Sequence, residues 1–133
     1  MEEMRQGMAA RRILIVDDED DIREVARVSL EMVGGWEVLV AGSGSEGLIE
    51  AKESQPDAIL LDVMMPDMDG PTTFQKLQSD ATTRHIPVIL LTAKVQAADH
   101  LRFAELGVSG VLAKPFDPLT LPSQVAKVLS WNL

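Results

Sequence analysis

Cysteine is absent from the 133 residues, which removes disulfides, thiolate–metal sites and cysteine nucleophiles from consideration. Long apolar runs are absent too, and none approaches the ~20 residues needed to span a bilayer. The first dozen residues carry Glu2, Glu3 and Arg5 and lack the apolar stretch of a secretion signal, so cytoplasmic residence is the default expectation. Basic residues are the minority, 12 against 21 acidic, for a formal net charge of −9. That balance argues against nucleic acid or an anionic membrane as the main partner, because such contacts need clustered Lys and Arg. No internal repeat and no low-complexity segment is present. The two histidines, His85 and His100, have no partner at ligand spacing and read as surface residues.

What is present is enough apolar material for a core: 46% hydrophobic and 25% charged residues, in a chain of about one domain's length. Residues 1–10 show no periodicity and read as a flexible tail. From there, apolar runs alternate with amphipathic stretches. Ile13-Leu14-Ile15-Val16 is short, continuous and β-branched, as suits a strand covered on both faces, and it ends at Asp17-Asp18. Ile22, Val25, Ala26, Leu30 and Val33 follow at helical spacing until Gly34-Gly35. Trp36–Val40 reads as a second strand, and Ser43 with Glu46 forms a capping box for a helix to about Ser54. Ala58–Leu61 is a third strand ending at Asp62, followed by the loop Val63–Gly70 and a helix over about Pro71–Gln78. Val88–Leu91 is a fourth strand ending at Thr92, with a helix from about Val95 to Leu106. Val111–Ala113 is a fifth, ending at Lys114-Pro115, and a last helix runs through Val125, Val128 and Leu129. Pro122 lacks the N–H a helix interior needs, so that helix either starts at Pro118 with a fault or starts at Thr120 with Pro122 in its first turn.

Such β-α alternation predicts an α/β fold of three layers, a doubly wound five-stranded parallel sheet with helices on both faces, in the flavodoxin-like strand order 2-1-3-4-5. The polar residues then fall at one rim. Asp17, Asp18, Asp62, Thr92 and Lys114 all stand at the C-terminal ends of strands, where open parallel sheets bind ligands. Three carboxylates held together either gain protons or gather a cation. An all-oxygen donor set without His or Cys favours Mg²⁺ or a similar hard ion. Mg²⁺ keeps several waters, which leaves a carboxylate oxygen free to attack phosphorus while Lys114 and Thr92 cover the oxygens of the transferring group. Asp62 is the candidate nucleophile because it ends the most central strand and precedes a tight loop. Asp18 is the candidate direct metal ligand, with Asp17 acting directly or through a metal-bound water.

Each residue alone has a plainer reading. An Asp-Asp pair before a helix is ordinarily a cap with favourable charge at the helix dipole, and an isolated Asp62, Thr92 or Lys114 is ordinarily a loop or surface residue. Glu19, Asp20 and Asp21 read as solvated first-turn charges with no ligand role. Met64, Met65 and Met68 read as loop packing, and Trp36 and Trp131 as covers for helix–sheet edges. The ordered combination outweighs the separate plain readings.

In that order, Asp17-Asp18 after Ile13–Val16, Asp62 within Leu60–Gly70, Leu91-Thr92-Ala93 and Lys114-Pro115-Phe116 resemble the receiver domains of response regulators, from about Arg12 to the C-terminus. The resemblance implies a receiver domain over 11–133 that is phosphorylated on Asp62 by a sensor histidine kinase or phosphotransfer protein. It implies that Asp17, Asp18, Asp62 and the backbone carbonyl of Met64 surround Mg²⁺ (or Mn²⁺), that Thr92 and Lys114 contact the phosphoryl group, and that the Lys114–Pro115 bond is cis. It implies a switch without substrate turnover that controls docking of a downstream protein. Phosphorylation-dependent homodimerisation through the last two helices is a further hypothesis. With so little chain after the last helix, no output domain is expected, and the chain is either a stand-alone regulator or a piece of a longer protein.

Two positions depart from the family pattern. Val111 stands where receivers often carry an aromatic coupled to the Thr, which puts an aromatic-swing activation in doubt. Met64 and Lys94 occupy the positions that tune phosphoryl lifetime, and Met64 cannot orient an attacking water, which implies slow self-hydrolysis. Three other readings are weaker. A haloacid-dehalogenase-like phosphatase needs a second acid where Met64 stands, and a flavin module needs a Ser/Thr/Gly phosphate loop where Asp17–Asp21 stands. A scaffold without phosphoryl chemistry would have no use for the intact acceptor set.

Overall fold

The computed structural model describes residues 11–93 and 97–132. The expected tail (1–10), Lys94 and the expected helix start at Val95 lie outside them, as does the side chain of His100. Five strands alternate with five helices: β1 (Arg12–Val16), α1 (Asp20–Met32), β2 (Glu37–Ala41), α2 (Gly44–Ser54), β3 (Ala58–Asp62), α3 (Gly70–Ser79), β4 (Val88–Thr92), α4 (Ala97–Leu106), β5 (Gly110–Ala113) and α5 (Leu121–Leu129). The strands form one parallel sheet in the order β2-β1-β3-β4-β5, the flavodoxin-like arrangement.

The continuous apolar runs explain the layers. Side chains alternate across a strand, so each run supplies both faces. Leu14, Val16, Ile59, Leu61, Val88 and Leu90 pack with Ala51, Phe74, Leu77 and Phe103 of α2, α3 and α4. Their neighbours Ile13, Ile15, Leu60, Ile89 and Leu91 pack on the other face with Ala26, Leu30, Leu121, Val125 and Ala126 of α1 and α5. Strands β3 and β4 are buried along their whole length, whereas the edge strands β2 and β5 are only partly covered.

The helix ends follow their local chemistry. Gly35 takes φ 73° just beyond α1, a conformation that costs glycine little. Ser43 caps α2 by accepting the N–H of Glu46 at 3.1 Å, as the capping box predicts. Helix α5 starts at Leu121 with Thr120 as its N-cap, so Pro122 stands in the first turn, where its missing N–H has no partner to lose. Trp36 and Trp131 meet edge to face with ring centroids 5.3 Å apart beneath α5, and Arg11 lies 4.5 Å over Trp131. His85 is exposed.

Candidate functional site

Strand pairing delivers the polar residues to a single rim. Past the end of β1, the N–H of Asp17 still donates to Ala41 of β2 at 3.1 Å, and past β3 the N–H of Val63 donates to Leu91 of β4 at 3.0 Å. Beyond β5, the N–H of Lys114 donates to the carbonyl of Thr92 at 2.9 Å. The backbone on both sides of the β1–β3 crevice is thus held in sheet register up to the site. Asp17, Asp62 and Thr92 are buried there. The crevice is the point where the chain order reverses, with β2 on one side of β1 and β3 on the other.

Lys114 ties the carboxylates together. Its ammonium Nζ lies 3.0 Å from Asp17 Oδ2, 3.1 Å from Asp62 Oδ1 and 3.4 Å from Glu19 Oε1. Carboxylate oxygens of Asp17, Asp18 and Asp62 all lie within 4.8 Å of one another. Burial pushes the Asp62 carboxyl above the ordinary carboxylate range, the negative charges of Asp17 and Asp18 add to the rise, and Lys114 counteracts it. Burial opposes the charge on Lys114, but its pairing with Asp17 and Asp62 prevails and holds the ammonium above its usual range.

The oxygens facing this crevice fit a hard cation. Among the described residues, Asp18 Oδ1 and Asp62 Oδ2 are buried without a hydrogen-bond partner, and Asp17 Oδ2 has its ion-pair contact with Lys114. Unsatisfied buried carboxylate oxygens are costly unless a cation completes them. An all-oxygen set of this kind suits Mg²⁺ or Mn²⁺.

The loop after Asp62 is pinned at both ends. The N–H of Gly70 donates to the carbonyl of Val63 at 2.9 Å, which folds the loop back onto the acceptor strand. A Cβ at position 70 would lie 2.5 Å from the carbonyl oxygen of Asp62, so only glycine fits. Asp69 caps α3 by accepting from Thr72 at 2.8 Å, and Pro71 stands in the first turn. Asp67 reaches the start of α2 instead, accepting from the N–H groups of Gly44 and Ser45 at 3.4 and 3.3 Å and from the Ser45 hydroxyl at 3.2 Å. Of the three methionines expected to pack the loop, Met65 is buried and Met68 half-buried. Met64 departs from that expectation: it is 65% exposed and lines an open cavity of about 300 Å³ over Asp62, with Glu19, Ile22, Ala93, Lys114 and Pro115. Adjacent residues of an extended loop point opposite ways, so only one of the pair Met64-Met65 enters the core.

Glu19, Asp20 and Asp21 are exposed, as expected, and Glu19 in addition reaches Lys114. Local sequence carries no sign of that contact, which joins the start of α1 to the end of β5; the same holds for the reach of Asp67 to α2. The Lys114–Pro115 bond is cis, as expected. Val111 is half-buried and packs with the α2–α3–α4 side of the core. Among the described residues, no helix is long and apolar enough to cross a membrane.

Residues 13–126 match the family model described as the response regulator receiver domain. Response regulator PleD of Caulobacter vibrioides is 44% identical over 124 residues, 92% of this chain and 27% of that protein. The DNA-binding dual master transcriptional regulator RpaA of a Synechocystis strain is 40% identical over 118 residues, 89% of this chain and 48% of that one. The chain therefore spans between a quarter and half the length of these curated relatives. Among solved structures, the Vibrio cholerae chemotaxis protein CheY4 superposes with a TM-score of 0.83 at 31% identity, covering 90% of this chain and 99% of that one. A putative response regulator from Chloroflexus aurantiacus gives 0.82 at 34% identity, covering 91% and 98%.

Proposed function

The chain belongs to the response regulator receiver domain family, and on that premise we propose that it accepts a phosphoryl group on Asp62 from a sensor histidine kinase or phosphotransfer protein. The observation that carries this reading is the meeting of Asp17, Asp62 and Lys114 within 3.1 Å contacts beside a cluster of buried carboxylate oxygens that have no hydrogen-bond partner among the described residues. Receiver domains are phosphoacceptor signalling domains and not turnover enzymes; this one promotes its own phosphorylation and slow dephosphorylation.

In the transfer, an Asp62 carboxylate oxygen attacks the phosphorus of a phosphohistidine. The new O–P bond forms as the P–N bond breaks, and the imidazole nitrogen leaves with the electron pair. Asp17, Asp18, Asp62 and the carbonyl of Met64 are the ligands for Mg²⁺ or Mn²⁺, which when bound supplies positive charge against the carboxylates and the phosphoryl oxygens. Lys114 exchanges its contact with Asp62 for the incoming phosphoryl oxygens, and Thr92, at the end of the adjacent strand, moves its hydroxyl to the same group. The charge that develops is thereby met by groups already in place, with little reorganisation.

Access by a protein donor is supported by the surface beside the site. Val25, Val28 and Met32 are exposed along α1. A cavity of about 220 Å³ lined by Ile22, Val25, Pro115 and Phe116 continues that apolar strip to Lys114. Such a strip suits the apolar face of a donor helix. Phosphorylation then shifts a pre-existing equilibrium of the α4–β5–α5 face through Thr92, without an aromatic at Val111. Two outputs fit such a switch, docking of a partner protein and pairing with a second copy through α4 and α5. Sedimentation of the phosphorylated and unphosphorylated protein separates them. A cytoplasmic location, with no direct contact to nucleic acid or membrane, completes the reading.

The deciding experiment is intact mass after incubation with Mg²⁺ and acetyl phosphate, beside Asp62→Asn. One added phosphoryl group in the parent alone, lost with a chelator, is the expected result. No gain in the parent with either acetyl phosphate or a phosphorylated kinase domain overturns the acceptor reading.

A further inference from the structure

Glu19 occupies the N-cap of α1, where a side chain ordinarily accepts a hydrogen bond from the first turn. It makes no such bond. Its backbone N–H is held by Asp17 Oδ1 at 2.9 Å, and its carboxylate turns away from the helix to stand 3.4 Å from Lys114 Nζ. The side chain remains 58% exposed and forms part of the wall of the cavity above Asp62. Any phosphodonor that reaches Asp62 through this opening passes a carboxylate on its way to the ammonium. Asp20 instead pairs with Arg23 at 2.5 Å.

We infer that Glu19 is a specificity-determining residue for the acceptor reaction: its charge offsets that of Lys114 at the mouth of the site and disfavours donors in proportion to their negative charge. The inference rests on the acceptor reading of Asp62 and adds to it a filter on the donor. A phosphoryl group on a protonated imidazole of a protein donor brings one net negative charge to the mouth, against two for a small acyl phosphate, and the docking surface of the protein supplies binding that the small molecule lacks. The carboxylate therefore penalises small acyl phosphates most. The reaction itself is unchanged. With acetyl phosphate, the Asp62 oxygen bonds to phosphorus, the bond from phosphorus to the acyl oxygen breaks, and acetate leaves with the electron pair.

The test compares the parent, Glu19→Gln and Glu19→Asp with two donors at fixed ionic strength in saturating Mg²⁺. The donors are acetyl phosphate, mainly a dianion near neutral pH, and phosphoramidate, mainly a monoanion. In Glu19→Gln the half-saturating concentration of acetyl phosphate is expected to fall about fivefold at low salt, and that of phosphoramidate about twofold. The maximal rates stay close to the parent, and the gap narrows as salt is added. Glu19→Asp retains the charge and is expected to behave like the parent. A Glu19→Gln protein that melts like the parent but shows equal changes for the two donors, or none, overturns the inference and leaves the acceptor reading standing. A parent that accepts phosphate from neither donor and from no kinase domain overturns both.

Discussion

The N–H of Lys114 donates to the carbonyl of Thr92 at 2.9 Å, one step beyond the last register pair of β4 and β5, Thr92 with Ala113. The hydroxyl and the ammonium proposed to hold the phosphoryl group therefore leave from adjoining strands at one level of the sheet. That placement sends Nζ over the rim to Asp17 and Asp62, while the backbone beneath it is fixed by pairing. Few side-chain torsions remain to be ordered when the site acts.

Removal of Lys114 exposes how much the ion cluster depends on it. Its side chain is 10% exposed, against 0% for Asp17 and 3% for Asp62, so little solvent is available to replace it. Lys114→Gln leaves two buried carboxylates without their counter-charge, a change of the kind that costs on the order of 3 kcal/mol. Urea unfolding in chelator is expected to show that loss, and saturating Mg²⁺ to recover much of it, because a cation neutralises the same oxygens. Equal losses with and without Mg²⁺ would argue that the three carboxylates do not form a cation site.

Asp62 gives the opposite sign. Burial, with help from Asp17 and Asp18, raises its pKa in the folded protein. A carboxyl raised in this way opposes folding once it ionises. The opposition is complete above the folded pKa and vanishes below the unfolded one, where both states carry the proton. Asp62→Asn is therefore expected to melt higher than the parent at pH 7.5 in chelator, and the two are expected to converge as pH falls to about 3. Saturating Mg²⁺ is expected to stabilise the parent more than the variant, since the ion binds the parent more tightly. A parent that is the more stable of the two at pH 7.5 in chelator would contradict the direction assigned to Asp62.

Why the rim was legible in the sequence and parts of its surroundings were not follows from the range of each interaction. The runs Ile13–Val16, Ala58–Leu61 and Val88–Leu91 carry strand identity in their own composition. Parallel order then places whatever polar residue follows each run at the same edge, which is how Asp17, Asp18, Asp62 and Lys114 meet, with Thr92 at the end of the adjoining strand. Ser43 with Glu46 was legible because a capping box is local. Glu19 and Asp67 were not. Each looks like a solvated loop or cap residue in its own segment, and its actual partner, Lys114 or the start of α2, is brought to it only by the completed sheet. The exposure of Met64 beside buried Met65 was equally hidden, because a single step in the loop decides which side chain enters the core.

Gly70 shows how tightly that loop is closed. A methyl group there would stand 2.5 Å from the Asp62 carbonyl oxygen and 2.9 Å from Val63 Cα, both backbone atoms with nowhere to retreat. Gly70→Ala must open the loop against the hydrogen bond from residue 70 to Val63. The expected loss is about 1–3 kcal/mol, typical of overpacking at a rigid site. It should also weaken Mg²⁺ binding, since the carbonyl of Met64 lies on the displaced segment. Calorimetric Mg²⁺ titration of a variant that remains folded checks the second effect, and unchanged affinity would remove Met64 from the ligand set.

Met64 projects into the cavity above Asp62 and offers no hydrogen-bond donor or strong acceptor there. Hydrolysis of the aspartyl phosphate needs a water aligned behind phosphorus, opposite the bond to Asp62, and a thioether neither orients nor deprotonates it. The apolar side chain also covers part of the approach. Self-hydrolysis of the phosphorylated parent is therefore expected to be slow, and Met64→Asn, which puts an amide in the same opening, is expected to shorten the lifetime several-fold. Met64→Leu, similar in volume and equally unable to bind water, is expected to keep it. Decay of the phosphorylated mass after removal of the donor measures all three proteins directly. An Asn variant that decays no faster than the parent would mean that a water already reaches phosphorus by a route Met64 does not cover.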